Sequence, residues 1–254
     1  VAQPLIVASQ IQCWRQLQTF LPKPIALAGY SLGEFTACAG LNLFPANQEV
    51  ILAGHRAQCM DTAAPFDCGL LAVLGLSESV LLEALAESQV EIAIRNGPRH
   101  FVLGGLRKNL QTAQTLAEAK GATRCVRLNV ATPSHTSLLT PATTEFRNKL
   151  EACVDRAQWP RQASLPLPLI CGQNGRVLST VEQALNSLAN ELSQTLDWES
   201  CLETVKEMNP DVVLEIGPGN ALCRLWNELY PEVRARSTSD FRSVAGLESW
   251  LQGL

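Results

Sequence analysis

Gly29-Tyr30-Ser31-Leu32-Gly33-Glu34 follows an apolar run, Pro24 to Ala28, that reads as a short buried strand. Behind it stand Phe35-Thr36-Ala37-Cys38-Ala39-Gly40-Leu41, small and apolar residues suited to a closely packed helix. Strand, Gly-x-Ser-x-Gly and helix together spell a nucleophile elbow. A sharp turn lifts the serine hydroxyl clear of the sheet, and flanking glycines tolerate strained dihedrals and close approach. The helix N-terminus then turns its free N–H groups toward any oxyanion formed beside Ser31. A serine in an ordinary turn is the bland alternative, and the strand before and the helix after argue against it.

The chain around this elbow has 254 residues, enough to bury a substantial core in one or two domains. Apolar residues make up 46% and charged residues 17%, as in an ordinary globular protein. A net charge of −4 and the lack of a basic block argue against nucleic acid as a partner. No apolar run approaches the roughly 18 residues of a membrane span, and no leader-like segment supports export. Val1 already lies in a helix-like run, so the intact gene is expected to encode further residues upstream, among them another strand of the main sheet. The nine cysteines are odd in number, without a C-x-x-C pair, and mostly set among apolar neighbours, as Cys38 and Cys171 are. They read as reduced core thiols of a cytoplasmic protein; neither a metal site nor a disulfide framework is expected.

Leu5, Ile6, Ala8, Ile11, Trp14 and Leu17 recur at helical spacing over residues 4–20, and Pro22 and Pro24 end that helix. Residues 47–62 predict a second helix with Val50, Ile51, Ala53, Ala57 and Met60 inward. From residue 69 the pattern changes to β-α-β-β-α-β. A strand (69–74) is followed by a helix capped at Ser77 and by two β-rich runs parted by Asn96-Gly97-Pro98-Arg99. A helix over 106–120 and a strand over 123–130 close the unit. This is a ferredoxin-like order that can stand as an inserted domain. A helix (138–153), a proline-rich linker, a strand (167–171), a helix (180–206), a strand (212–216) and a helix (221–229) complete the chain. The fold class expected is α/β, with an α/β-hydrolase-like main domain on a parallel sheet (1–62 and 131–254) and a ferredoxin-like insertion at 63–130.

A serine hydroxyl needs a base at neutral pH, and the chain has only three histidines. His55 lies inside a helix, His100 opens a strand of the inserted unit, and His135 sits in a loop that returns to the main body. His135 is the expected base. An ordinary α/β-hydrolase runs serine, acid, then a late histidine, which this order does not follow. Asp61 and Asp67 lie between Ser31 and His135, but neither follows an obvious main-domain strand, which leaves a backbone carbonyl as the alternative partner for the imidazole. Arg56 could pair bidentately with a substrate carboxylate, although a lone arginine is more often a surface residue. Gly217-Pro218-Gly219-Asn220 lacks the Lys-Ser/Thr of a P-loop and reads better as a tight strand-to-helix turn shaping the cleft.

Gly29 to Glu34, His55-Arg56, Pro133-Ser134-His135 and Glu215-Ile216-Gly217-Pro218-Gly219, in this order, resemble the malonyl-CoA:acyl-carrier-protein transacylases along essentially the whole chain. Arg95 to Gly105, together with Arg234 to Ser237 and Asp240 to Ser243, resemble one branch in particular, the acyltransferase (epsilon) subunit of bacterial malonate decarboxylase.

The resemblance implies Ser31 as acylated nucleophile, His135 as general base and acid, and the Leu32 N–H as one oxyanion donor. It implies Arg56 as the malonyl-carboxylate ligand, Gln3 and Asn96 near the acyl pocket, and the backbone of Glu191 as the group orienting His135. The implied partners are malonyl-CoA and the thiol of an acyl-carrier protein, with no metal and no bound cofactor. The chain departs from the family at Tyr30, where histidine is usual, and at Ile94 to Pro98, where only Asn96 carries over. It also departs at Glu191, where the family's segment opens on glutamine, and in lacking the Gly-Gln-Gly-x-Gln segment that supplies a second oxyanion donor. The rival readings are a malonyl transacylase of fatty-acid synthesis, a serine thioesterase or esterase with water as acceptor, and a binding subunit with an idle pocket.

Overall fold

The computed structural model describes residues 2–86 and 88–253. The helices are α1 (Ala2–Leu17), α2 (Leu32–Gly40), α3 (Glu49–Ala63), α4 (Glu78–Leu85), α5 (Arg107–Ala119), α6 (Thr140–Cys153), α7 (Val181–Asn190), α8 (Trp198–Glu207), α9 (Ala221–Leu229) and α10 (Val244–Gln252). The strands are β1 (Leu27–Ala28), β2 (Cys68–Leu74), β3 (Glu91–Gly97), β4 (His100–Leu106), β5 (Arg124–Arg127), β6 (Ser164–Ile170), β7 (Val177–Thr180), β8 (Leu196–Asp197), β9 (Val213–Glu215) and β10 (Ala235–Ser237). None of the described helices is long and apolar enough to cross a membrane.

The strands form three sheets: β1-β6-β7, β9-β10 and β5-β2-β4-β3-β8. The largest sheet is antiparallel except at one edge, where β8 joins β3 in parallel, Ile94 opposite Leu196 and Arg95 opposite Asp197. Strand β2 is buried on both faces, and its side chains alternate between two cores. Leu71 and Val73 pack with Leu81 and Leu85 of α4 and Leu110 and Ala113 of α5. Leu70 and Ala72 pack with Trp198 and Leu202 of α8 and Trp226 of α9. A third core joins α1, α2, α3, α6 and α7 around Phe35, Leu52, Phe146 and Leu185.

Several expectations are corrected. The main-body strands do not form one parallel sheet: β1 runs parallel to β6, but β7 is antiparallel to it, and β9 pairs only with β10. The elbow strand shrinks from residues 24–28 to two residues on an edge, with Ile25 exposed. In α1, Leu5 is exposed while Val7 joins Ile11, Trp14 and Leu17 inside. In α3, Val50 and Ile51 face outward, and the inward face is Glu49, Leu52, Ala53, Arg56, Cys59 and Met60. Two charged residues on the buried face made the apolar spacing misleading. Glu49 is tied down there by Arg15 at 2.7 Å, and Arg56 belongs to the site.

The single helix expected over 180–206 is two. Thr180 and Gln183 form a capping box at the start of α7, and the Asp197 carboxylate accepts from the Ser200 N–H at the start of α8. Between them the chain turns and contributes β8 to the sheet that holds β2, β3, β4 and β5. The sheet of residues 68–127 therefore takes one edge strand from outside that stretch.

Candidate active site

At the elbow, Ser31 has φ 53° and ψ −110°, a left-handed conformation rare for a residue with a side chain. Gly29 makes the turn possible: a Cβ there would lie 2.0 Å from the Glu34 backbone nitrogen. Gly33 is different, since a Cβ there would meet nothing within 4 Å. The expectation of two sterically required glycines thus holds for only one. The Gly33 and Glu34 amides turn back onto the carbonyls of Tyr30 and Ser31, both at 2.9 Å. The Leu32 amide, first in α2, keeps its N–H unpaired among the described residues, as an oxyanion donor must.

His135 also has a left-handed backbone, φ 63°, and its amide donates to the Leu192 carbonyl at 2.9 Å. Nε2 lies 2.9 Å from Ser31 Oγ, and Nδ1 lies 2.5 Å from the Glu191 carbonyl oxygen. A carbonyl can only accept, so Nδ1 carries the hydrogen and Nε2 is the free base facing the serine hydroxyl. Burial, and then the Arg56 charge, push the imidazole pKa down to about 4, against the opposing pull of the Glu191 carbonyl. Thr136 seats the loop: its Oγ1 donates to the Pro133 carbonyl, and its methyl lies where a Cβ on Gly104 of β4 would collide, 2.5 Å away.

Arg56 is buried. Its Nη2 reaches Ser31 Oγ at 3.2 Å and the Glu191 carboxylate at 2.9 Å, while Nη1 donates to Gln3 Oε1 at 2.9 Å. Gln3 therefore meets the site through Arg56. The Glu191 carboxylate, buried beside Glu34 and paired with Arg56, is the side chain of this site that sequence reasoning missed, having used only its backbone. The signal was present as an acid where the family has glutamine. Burial drives the Glu191 carboxyl well above its usual range, and drives Glu34 up to about 7. Glu34 Oε2 accepts from the Gly172 N–H at 2.7 Å, which ties the elbow helix to the end of β6.

Asn96 lies apart from this group. It is buried beside the Tyr30 hydroxyl, with Nδ2 3.5 Å from His100 Nε2 and Oδ1 without a partner among the described residues. Tyr30 packs edge-on against Trp198, ring centroids 5.3 Å apart. Asp61 and Asp67 bond Thr132 and Arg107, at 3.2 Å in both cases, and neither reaches His135. The Gly217 turn is fastened to the elbow helix through Gln10, whose Nε2 donates to the Ile216 carbonyl at 2.9 Å and whose Oε1 accepts from Thr36 Oγ1 at 2.8 Å. All nine cysteines are free, and six of them are buried.

No family model matches the chain. It is 28% identical to the malonyl CoA-acyl carrier protein transacylase of Haemophilus influenzae over 262 residues, 98% of this chain and 80% of that protein. The solved malonyl-CoA:acyl carrier protein transacylase of Xanthomonas oryzae superposes with a TM-score of 0.89 at 26% identity, over 99% of this chain and 79% of that one. A malonyl-transacylase solved with its type II polyketide-synthase acyl-carrier protein gives a TM-score of 0.89 at 25% identity, over 100% and 81%. Over nearly its whole length, in sequence and in fold alike, the chain is similar to malonyl CoA-acyl carrier protein transacylases.

Proposed function

We propose that the chain transfers a malonyl group from malonyl-CoA, through an ester on Ser31, to the thiol of an acyl-carrier protein. The observation that carries this reading is the buried guanidinium of Arg56, 3.2 Å from the hydroxyl that His135 activates. An enzyme for neutral acyl groups has no use for a buried cation there, whereas a free carboxylate on the acyl chain does. Relatives that bear the transacylase name, one of them solved with its carrier protein, support the same reaction.

In the first half-reaction Ser31 Oγ attacks the thioester carbonyl carbon while His135 Nε2 takes the hydroxyl proton. The Leu32 N–H faces the oxyanion. The carbon–sulfur bond breaks, and the proton on Nε2 passes to the departing thiolate. In the second half-reaction the carrier thiol gives its proton to Nε2 and its sulfur attacks the ester. Ser31 Oγ then leaves and recovers the proton. The Glu191 carbonyl holds the imidazole in the tautomer that both steps need.

The finer reading is that the carrier belongs to malonate decarboxylase. It rests on the Arg95 to Gly105 and Arg234 to Ser243 stretches and on Tyr30, which that branch tolerates. Of the finer fold reading, the ferredoxin-like insertion over 63–130 is supported by the β-α-β-β-α-β order of residues 68–127 and the strand order β5-β2-β4-β3. The test is incubation with malonyl-CoA, mapping of the adduct, and then transfer to a malonate-decarboxylase carrier and a fatty-acid carrier side by side. Release of free malonate at the same rate with and without a carrier would make the protein a hydrolase instead.

A further inference from the structure

The hydrogen bonds around Arg56 do not close. Nη1 serves Gln3 Oε1 and the Met60 sulfur, at 2.9 and 3.5 Å, and Nη2 serves Glu191 Oε1 and Ser31 Oγ. The Nε–H has no partner among the described residues, nor does Glu191 Oε2, nor Glu34 Oε1. Orphaned buried polar atoms are uncommon and each calls for an explanation. Here one belongs to the guanidinium itself, one to the carboxylate paired with it, and one to the acid beside that carboxylate. Gly172 separates the two acids: a Cβ on it would come 2.7 Å from Glu34 Oε2 and 3.7 Å from Glu191 Oε2.

The charges do not close either. Glu191 is faced by Arg56 from α3, by Glu34 and Cys38 from α2, and by the His135 ring at its own carbonyl; Cys171, after β6, stands near Glu34. Burial and the neighbouring acids push both thiols up, so they stay neutral. That leaves two carboxyl groups and a single cation. A malonyl carboxylate would be a third acid in a site with one cation.

We propose that the Glu191 side chain is an internal competitor for Arg56 and sets how strongly the site prefers a carboxylate-bearing acyl group over a neutral one. This rests on the malonyl-transfer reading. When the incoming carboxylate takes the Arg56 N–H groups, Glu191 loses its partner and must bind a proton, because a buried unpaired carboxylate is too costly to keep. Malonyl recognition is therefore coupled to proton uptake. It strengthens as pH falls, when Glu191 is already protonated and yields the guanidinium. It weakens as pH rises and Glu191 holds Arg56 as an ion pair. A neutral acyl group makes no claim on Arg56 and escapes this dependence.

The test uses calorimetric binding of malonyl-CoA and acetyl-CoA to Ser31→Ala and to Ser31→Ala/Glu191→Gln between about pH 6 and about pH 8.5, where His135 stays neutral. Glutamine keeps the backbone carbonyl that holds His135 and a neutral Oε1 for Arg56. In Ser31→Ala, malonyl-CoA should bind about tenfold tighter at the low end of the range, with proton uptake, read from buffers of different ionisation enthalpy, rising toward about one at the high end. Acetyl-CoA should stay flat. The glutamine variant should bind malonyl-CoA tightly at every pH without proton uptake.

Equal weakening of both ligands by Glu191→Gln, or a pH dependence that survives it, would overturn the proposal. Should the glutamine variant not fold, malonyl-CoA binding to Ser31→Ala without proton uptake overturns it alone. The parent reading is checked separately by malonylation of Ser31 in the unaltered protein. Malonylated Ser31 with an unmoved selectivity sinks only the role of Glu191. An unreactive Ser31 with a glutamine-dependent gain in malonyl binding sinks only the transferase.

Discussion

Ser31 and His135, 104 positions apart, face each other across 2.9 Å, and both have left-handed backbones, φ 53° and 63°. Such conformations cost of order 1–3 kcal/mol per residue and persist only where the surroundings enforce them. Gly29 and the Glu34–Gly172 bond enforce the first; the Leu192 carbonyl and Thr136 enforce the second. The hydroxyl and imidazole are thus held in place before any substrate arrives.

Ser31→Ala should abolish the malonyl adduct on the Gly29 to Gly33 peptide while leaving the fold intact, since alanine needs the same backbone and less space. Intact mass before and after incubation with malonyl-CoA is the measurement. An adduct that persists, or that maps to a cysteine, would remove Ser31 from the reaction.

The depressed pKa of His135 fixes the acid limb of the reaction. The imidazole is neutral, and so a competent base, down to about pH 4. Acetyl transfer, whose acyl group carries no carboxylate for Arg56, should therefore hold its kcat/KM from about pH 8 to about pH 5, without the usual decline near 6.5. The same shift carries a stability cost in acid. The folded pKa lies below the unfolded one, so the unfolded chain binds the proton more readily. This one contribution is complete above about pH 6.5 and falls by about 3 kcal/mol as pH drops toward 4, opposite in sign to that of the raised Glu34 and Glu191 carboxyls. Urea midpoints of the wild type and His135→Asn should diverge above pH 6.5 and converge in acid.

His135→Ala should slow acylation and transfer together by about 10²–10⁴-fold, because one imidazole serves both. His55→Ala and His100→Ala should cost far less, since neither ring reaches Ser31. Equal damage from His55→Ala would show the base to be misassigned.

Gly29→Ala and Gly33→Ala should separate sharply. The first drives a methyl group into backbone at 2.0 Å and should lose about 3 kcal/mol or more, to the point of insolubility. The second meets open space in the first turn of α2 and should leave stability unchanged or raise it by up to about 1 kcal/mol. Thermal melts of the two variants decide it.

Arg56→Ala should cost stability as well as malonyl preference. It leaves Glu191 and Glu34 buried together without a cation, a loss of about 3–5 kcal/mol for breaking such a pair. Arg56→Met/Glu191→Gln, which removes both charges, should recover most of it. Chemical denaturation of the single and double variants gives the comparison, and a double variant no more stable than Arg56→Ala would refute the pairing.

The elbow, the candidate base and the β-α-β-β-α-β order were legible because each is local: glycine spacing, a histidine after a strand, alternation of apolar residues. The buried face of α3 was not, because Arg56 and Glu49 occupy positions where apolar periodicity looks for leucine, while Val50 and Ile51 offered a false stripe. The break between α7 and α8 was hidden for another reason. Residues 191–197 leave the helix to pair Leu196 and Asp197 with Ile94 and Arg95, about a hundred positions away, and propensity cannot report a contact of that range. Glu191 was read for its carbonyl, and only the packing of α2, α3 and α7 shows where its carboxylate goes.

The parallel pairing of β8 with β3 bears on how such an enzyme could be recombined. A graft that exchanged the 63–130 unit between relatives would look like a clean swap on the linear chain. In space it would cut the seam along Leu196–Asp197, a few residues past the carbonyl that aims the imidazole, and also the Gly104–Thr136 contact beside the imidazole itself. A working chimera must therefore carry residues 133–136 and 191–197 along with the insertion.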